Sequence, residues 1–242
     1  MQRNINSLIG FSMGATDGEI GRVKEFYFDD KTWKIRYLIV KTGNWLSGIE
    51  VLISPGAILK NSLMQETFPV DLTKEQIRSS PDIDTNKPVS RQQEIELHGH
   101  YPWQPYWGSG FYAGGLWDTA NASLITEEKT INDADNKGQT ADEDPHLRST
   151  KEVTGYNIHA NDGEVGYLKD FIIDDQTWQI LCLVVDTHDW FVGKKVLIEV
   201  GHIKEIQWDK SKIFINMNVD AIKDSEAYKE LEFINPELNS SL

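Results

Sequence analysis

Four groups of residues have side chains that could do chemistry. Two are acidic pairs, Asp29-Asp30 and Asp174-Asp175; the third is His98-Gly99-His100; the last is Cys182, the single cysteine among 242 residues. Paired carboxylates can hold calcium or share acid and base roles. Neighbours on an extended chain, however, point to opposite sides, and no calcium-loop spacing or closing glutamate follows either pair. Each pair is read as turn-forming, because an Asp side chain accepts from nearby backbone N–H groups. Two histidines flanking a glycine could ligate a metal, but a structural zinc needs four ligands, so this triplet is read as a solvated loop. A lone cysteine makes neither an intramolecular disulfide nor a multi-thiolate site. Cys182 lies in the apolar run Ile180–Val185 and is read as a buried, inert core thiol. His159, His188 and His202 fall opposite Gly14, Gly43 and Ala57 in the duplication described below, so no histidine site is repeated. No phosphate loop, dinucleotide fingerprint or nucleophile elbow occurs. The reading therefore assigns no catalytic residue, no metal ligand and no cofactor.

Aromatic residues remain. The chain has eight tryptophans, and large aromatics dominate both cores and binding hot spots. Trp45 and Trp190 occupy loops at equivalent positions. Trp103, Tyr106 and Trp107 lie in an aromatic stretch over residues 101–117. A loop tryptophan either folds back to cap its own domain or stays exposed as a contact. These five residues are the candidate partner contacts.

The elements that position them come in two copies. Asp17-Gly18-Glu19 recurs as Asp162-Gly163-Glu164, an offset of 145, and residues 17–53 match 162–198 at 19 of 37 positions without a gap. The register holds to Ile77 and Ile222. In each copy an Asp-Gly turn precedes a strand (21–28 and 166–173), since glycine accepts the positive φ of a tight turn. The acidic turn follows, then a β-branched run (35–40 and 180–185) too short for a helix and apolar enough to be buried on both faces. A hairpin loop leads to Val51-Leu52-Ile53 and Val196-Leu197-Ile198. Phe68, Val70 and Leu72 share a face in a last strand, and Thr73 is placed to cap a short helical turn. Five or six short strands in about 75 residues point to a small barrel, because closure removes exposed edges. Such a copy falls within the size range that folds alone.

The run Asp17 to Asp30, its continuation Thr32 to Val40, and Val51-Leu52-Ile53-Ser54-Pro55 together resemble the PRC-barrel domain. So do the same positions of the second copy. The resemblance covers roughly residues 5–80 and 150–225. It implies the barrel fold found in the cytoplasmic part of the photosynthetic reaction-centre H subunit and at the C-terminus of the ribosome maturation factor RimM. In both settings the barrel docks proteins and does not catalyse. The chain resembles stand-alone bacterial proteins with two such barrels, also at Pro88 to Leu97 and at Tyr106-Trp107.

The expected architecture is mainly all-β: two small PRC-type barrels in tandem, with little helix and a partly ordered linker. The first domain spans 1–80. The linker spans 81–149, with an aromatic segment at 101–117, expected to pack onto one or both barrels, and an acidic flexible part at 121–149. The second domain and a tail span 150–242. Within the linker, Ser90 to Leu97 could form one or two helical turns. The net charge is −14, with five basic against twelve acidic residues over 81–150 and nine against seventeen over 151–242. No basic stripe is present to neutralise phosphates, so nucleic acid and anionic membrane surfaces are not expected partners. No stretch has the roughly 18 uninterrupted apolar residues of a membrane span, and the N-terminus lacks an apolar signal; a cytoplasmic location is expected. The functional expectation is a non-enzymatic interaction scaffold with an unidentified protein partner and a possible homodimer. The alternative is a small-molecule or glycan binder using the aromatic linker or an inter-barrel cleft.

Overall fold

The computed structural model describes residues 1–59, 66–81, 89, 91–101, 103–106, 146–187, 194–225 and 227–229. The first copy comprises β1 (Gln2–Asn4), α1 (Ile5–Leu8), β2 (Ser12–Ala15), β3 (Gly18–Asp29), β4 (Lys34–Thr42), β5 (Glu50–Ile53), β6 (Thr67–Pro69) and α2 (Lys74–Arg78). One helix, α3 (Arg91–His100), lies between the copies. The second copy comprises β7 (Leu147–Ser149), α4 (Thr150–Val153), β8 (Asn157–Ala160), β9 (Gly163–Asp174), β10 (Gln179–Asp186), β11 (Lys195–Glu199), β12 (Ile203–Gln207), β13 (Lys212–Ile215) and α5 (Val219–Asp224). The chain is thus mainly β, as its alternating and β-branched runs require.

The Asp-Gly turns join β2 to β3 and β8 to β9 in antiparallel hairpins. Each turn aspartate also reaches the end of its own copy. Asp17 Oδ1 accepts from the Lys74 N–H at 2.8 Å, and Asp162 Oδ1 accepts from the Val219 N–H at 2.8 Å. Each thereby satisfies an orphan donor at the start of the terminal helix. Thr73 and Gln76 complete a capping box on α2, the role the sequence assigns to Thr73. β6 and β13 return parallel to β2 and β8.

The two copies share one sheet. Its strand order is β12-β13-β8-β9-β10-β4-β3-β2-β6, with β1 on β9, β11 on β10, β5 on β4 and β7 on β3. It does not close on itself. Each copy gives its first strand to the other: β1 pairs with the far half of β9 and β7 with the far half of β3, in registers that match at the offset of 145. β4 meets β10 at Lys34 and Gln179, and the N–H groups of Ile35 and Ile180 donate to the carbonyls of Trp178 and Trp33, both at 2.8 Å. These paired bonds mark a pseudo-twofold axis.

Both tryptophans next to that axis have left-handed backbones, φ 56° for Trp33 and 60° for Trp178. Such a conformation is costly for a bulky residue and persists only where its surroundings hold it. Trp178 is buried. Its partners are Phe26 and Phe68 of the other copy, at ring-centroid distances of 6.3 and 5.9 Å. Trp33 is half-buried against Phe28, 5.3 Å away, and Phe28 in turn touches Phe171 of the second copy at 5.8 Å. A single hydrophobic core therefore runs through both copies. Among the described residues no helix is long and apolar enough to cross a membrane.

Candidate functional site

The acidic turns divide their labour. Asp29 Oδ1 accepts from the N–H groups of Lys31 and Thr32, each at 3.0 Å, and Asp174 Oδ1 accepts from Gln176 at 2.8 Å. These first aspartates shape their own turns, as the sequence reading holds. The second aspartates instead pair across the pseudo-twofold axis: Asp175 with Arg3, and Asp30 with Arg148 at 3.2 Å. The strand exchange is the cause, because it lays β1 and β7 beside the opposite turn, where the N–H groups of Asp175 and Asp30 also donate to the carbonyls of Met1 and His146. Nothing local in the sequence points to these ion pairs; the repeat at positions 3 and 148 is their one trace. Burial would raise the Asp29 carboxyl, but the Thr32 N–H, the Arg36 side chain and the Lys31 N–H outweigh it and hold the group below its usual range. The Gln176 N–H does the same for Asp174.

A polar network sits on the outer wall of the first barrel, under α3. Glu94 and Tyr37 are fully buried, and His98 and His146 nearly so. Tyr37 O–H donates to Glu94 Oε1 at 3.0 Å and lies 2.9 Å from His98 Nε2. One hydroxyl proton cannot serve both, so the imidazole is taken as the Nε2–H tautomer, donating to Tyr37. Tyr106 O–H donates to Glu94 Oε1 at 2.5 Å and lies 3.4 Å from His146 Nε2. The Arg36 guanidinium stacks 3.6 Å from the centre of the Tyr106 ring. Val89, Leu97 and Tyr101 bury apolar surface around this network. The network thus seats the helix and gives buried polar groups partners, which an apolar wall could not do.

This arrangement overturns the solvated-loop reading of His98-Gly99-His100, since the triplet forms the last turn of α3 and His98 is buried against Tyr37. The helix is also longer than the one or two turns expected. Its polar residues are spaced so that Glu94 and His98, four apart, share one face, a signal present in the sequence but ambiguous without the tyrosine beneath it. Cys182 is corrected as well: the residue is half-buried, not fully buried. It stands at the position equivalent to Tyr37, on the outer wall of the second barrel. Partial burial and then the Glu199 carboxylate push its pKa up.

The candidate contacts fall in different places. Trp45 folds back: its Nε1–H donates to the Ile20 carbonyl at 2.7 Å, and Lys74 and Arg78 lie over its ring at 5.1 and 5.9 Å. Trp103 stacks on Tyr101 at 4.1 Å, and Tyr106 belongs to the Glu94 network. Trp107 and Trp190 lie outside the described residues, as do the rest of the aromatic segment and the acidic linker up to residue 145.

A cleft of about 810 Å³ opens between the barrels, within the size range of small-molecule sites. Arg3, Lys34, Arg36 and the Met1 amine supply its cations, Asp175 is its one acidic residue, and Tyr106 and Trp178 are among its aromatics. Among the described residues no cluster of three or more His, Cys, Asp or Glu could hold a metal.

The repeated fold and its motifs define a class. Residues 2–77 and 149–221 match the PRC-barrel domain family, and the chain belongs to that family, with two copies of the domain. It is also 28% identical over 108 residues to an uncharacterized protein of Deinococcus radiodurans. That match covers 45% of this chain and 36% of the relative.

Proposed function

We propose that this chain is a non-enzymatic docking scaffold. The observation that supports it most is the seating of α3, a segment outside both copies, on the wall of the first barrel through a buried Tyr37–Glu94–His98 network. A wall that binds one helix in cis is chemically suited to binding segments of other proteins, as helix-in-groove recognition does. PRC barrels are often interaction modules, which points the same way. Trp103, Tyr106, Trp107, Trp190 and the part of the Trp45 ring left exposed after it folds back are the proposed contacts, and the partner is another protein or a second copy of the chain. A cytoplasmic location fits this role. The test is a tagged pull-down from source-cell lysate beside a Trp45→Ala/Trp190→Ala variant, with light scattering to give the oligomeric state. A discrete partner lost in the variant supports the reading; no partner and a monomeric chain count against it.

A second reading has its own observation. The inter-barrel cleft carries Lys34, Arg36 and Arg3 in a protein of net charge −14, so it would favour a small anionic ligand, or a glycan laid on its aromatics. A thermal-shift screen with sugar phosphates, carboxylates and neutral oligosaccharides tests this. A stabilising ligand whose effect vanishes in Lys34→Glu supports it.

A further inference from the structure

The outer walls of the two barrels are equivalent in sequence and unequal in cover. In the first barrel the wall includes Tyr37, Ile39 and Leu52, with Ile39 opposite Leu52 in the ladder. All three are at most 1% exposed, and α3 lies over Tyr37. The offset of 145 places Cys182, Val184 and Leu197 on the second wall, with Val184 opposite Leu197 in the same way. Here Val184 is buried like Ile39, at 1% exposed, but Leu197 is 40% exposed, against 1% for Leu52. Cys182 is half-buried, whereas Tyr37 is fully buried. No helix equivalent to α3 covers this wall among the described residues.

The chain itself leads onto that wall. After α5 it reaches Tyr228, whose N–H donates to the Lys195 carbonyl of β11 at 2.7 Å. The Tyr228 hydroxyl donates to Asn4 Oδ1 of β1 at 2.6 Å. Tyr228 is therefore anchored at both margins of the wall. Residues 230–242 come next, with Leu231, Phe233, Ile234 and Leu238 among them. At the same offset Ile234 falls opposite Val89 and Leu242 opposite Leu97, two residues buried with α3 on the first barrel. Asn235-Pro236-Glu237 stands opposite Ser90-Arg91-Gln92 and has the residue order of a helix start: a capping amide, a proline and an acid. Thirteen residues reach about 20 Å as a helix and about 43 Å extended, whereas the three strand spacings from β11 to β1 span only about 14 Å. The segment has three acids and no base, and Lys194 and Lys195 lie at the margin from which it departs.

We propose that residues 230–242 of this chain cover the outer wall of the second barrel, over Leu197 and Cys182, as α3 covers the first. The cover does not depend on the docking role proposed above, and it buries the Leu197 side chain, which the strand register otherwise leaves in water.

The lone cysteine reads the cover directly. Its reaction rate with a disulfide reagent would be compared between the full chain and a chain ending at Lys229. Removal of the segment should raise the rate about tenfold or more, as loss of local protection does. Equal rates would overturn the proposal. Phe233→Asp/Ile234→Asp in the full chain should give the same rise at a temperature where far-ultraviolet dichroism shows the variant still folded. Should truncation unfold the chain, a benzophenone amino acid in place of Leu197 still decides. An intramolecular cross-link to 230–242 supports the proposal. A covalent dimer, which would place a second copy on the wall, or a cross-link elsewhere, or none, overturns it.

Discussion

At the scale of single residues, the ion pairs across the pseudo-twofold axis are the most exacting features. Arg3 and Asp175 are nearly fully buried, with side chains 8% and 5% exposed. Removing one partner strands the other in a poorly solvated place, and such losses cost about 3–5 kcal/mol. Arg3→Ala should lower unfolding free energy in urea by roughly 2–4 kcal/mol, softened by water reaching the Met1 amine beside Asp175. An unchanged midpoint would remove the pair from the account of stability. The turn carboxylates carry a pH signature. Asp29 and Asp174 have lowered pKa values in the fold, so each contributes stability above the ordinary carboxylate value of about 4, and that contribution is lost as pH falls through the lowered value. Urea midpoints should therefore drop below about pH 4, and Asp29→Asn should flatten the drop. Parallel acid limbs for the variant and the wild type would show that Asp29 contributes nothing there. These turns were legible as turns. The pairing of their second aspartates was not, because partners 118 and 172 residues away leave no local pattern.

At the scale of elements, backbone approach explains a glycine kept in both copies. A Cβ on Gly21 would lie 2.0 Å from the Lys41 carbonyl oxygen, and one on Gly166 would lie 2.1 Å from that of Asp186. Both glycines sit where β3 and β9 are pressed against the strand that follows, and backbone cannot yield as a side-chain tip can. Gly21→Ala should cost about 3 kcal/mol or more; a thermal melt within a degree or two of wild type would mean that the strand pair can separate there without penalty. The long strands, the hairpins and the cap on α2 could be read from period, turn residues and Thr73. The helix at Arg91–His100 was only partly legible. Its pattern is too polar to show which face is buried, and the buried face includes a glutamate and a histidine whose partner is a tyrosine more than fifty residues earlier.

At the scale of the whole molecule, two repeated domains have become one folding unit. β1 and β7 are exchanged, Trp178 fills the core of the other copy, and the sheet runs unbroken from β12 to β6. Unfolding should be a single cooperative transition, with far-ultraviolet dichroism, tryptophan fluorescence and calorimetry coincident. Two separable transitions would mean that the exchanged strands add little. By itself the sequence determined the duplication, the strand-rich domain and its family, the Asp-Gly and acidic turns, and the apolar central strands. These are local or repeated patterns, set by steric limits on φ and by the two-residue period of a strand, and the chain carries them wherever its copies lie. Only the tertiary structure decided which copy each first strand joins, which aspartate meets which arginine, and why Leu52 is covered while Leu197 is exposed. Those outcomes depend on contacts between residues far apart in the chain, and two equivalent copies offer the same partners twice. Pairing within a copy and pairing between copies look identical in sequence; how the copies pack selects one.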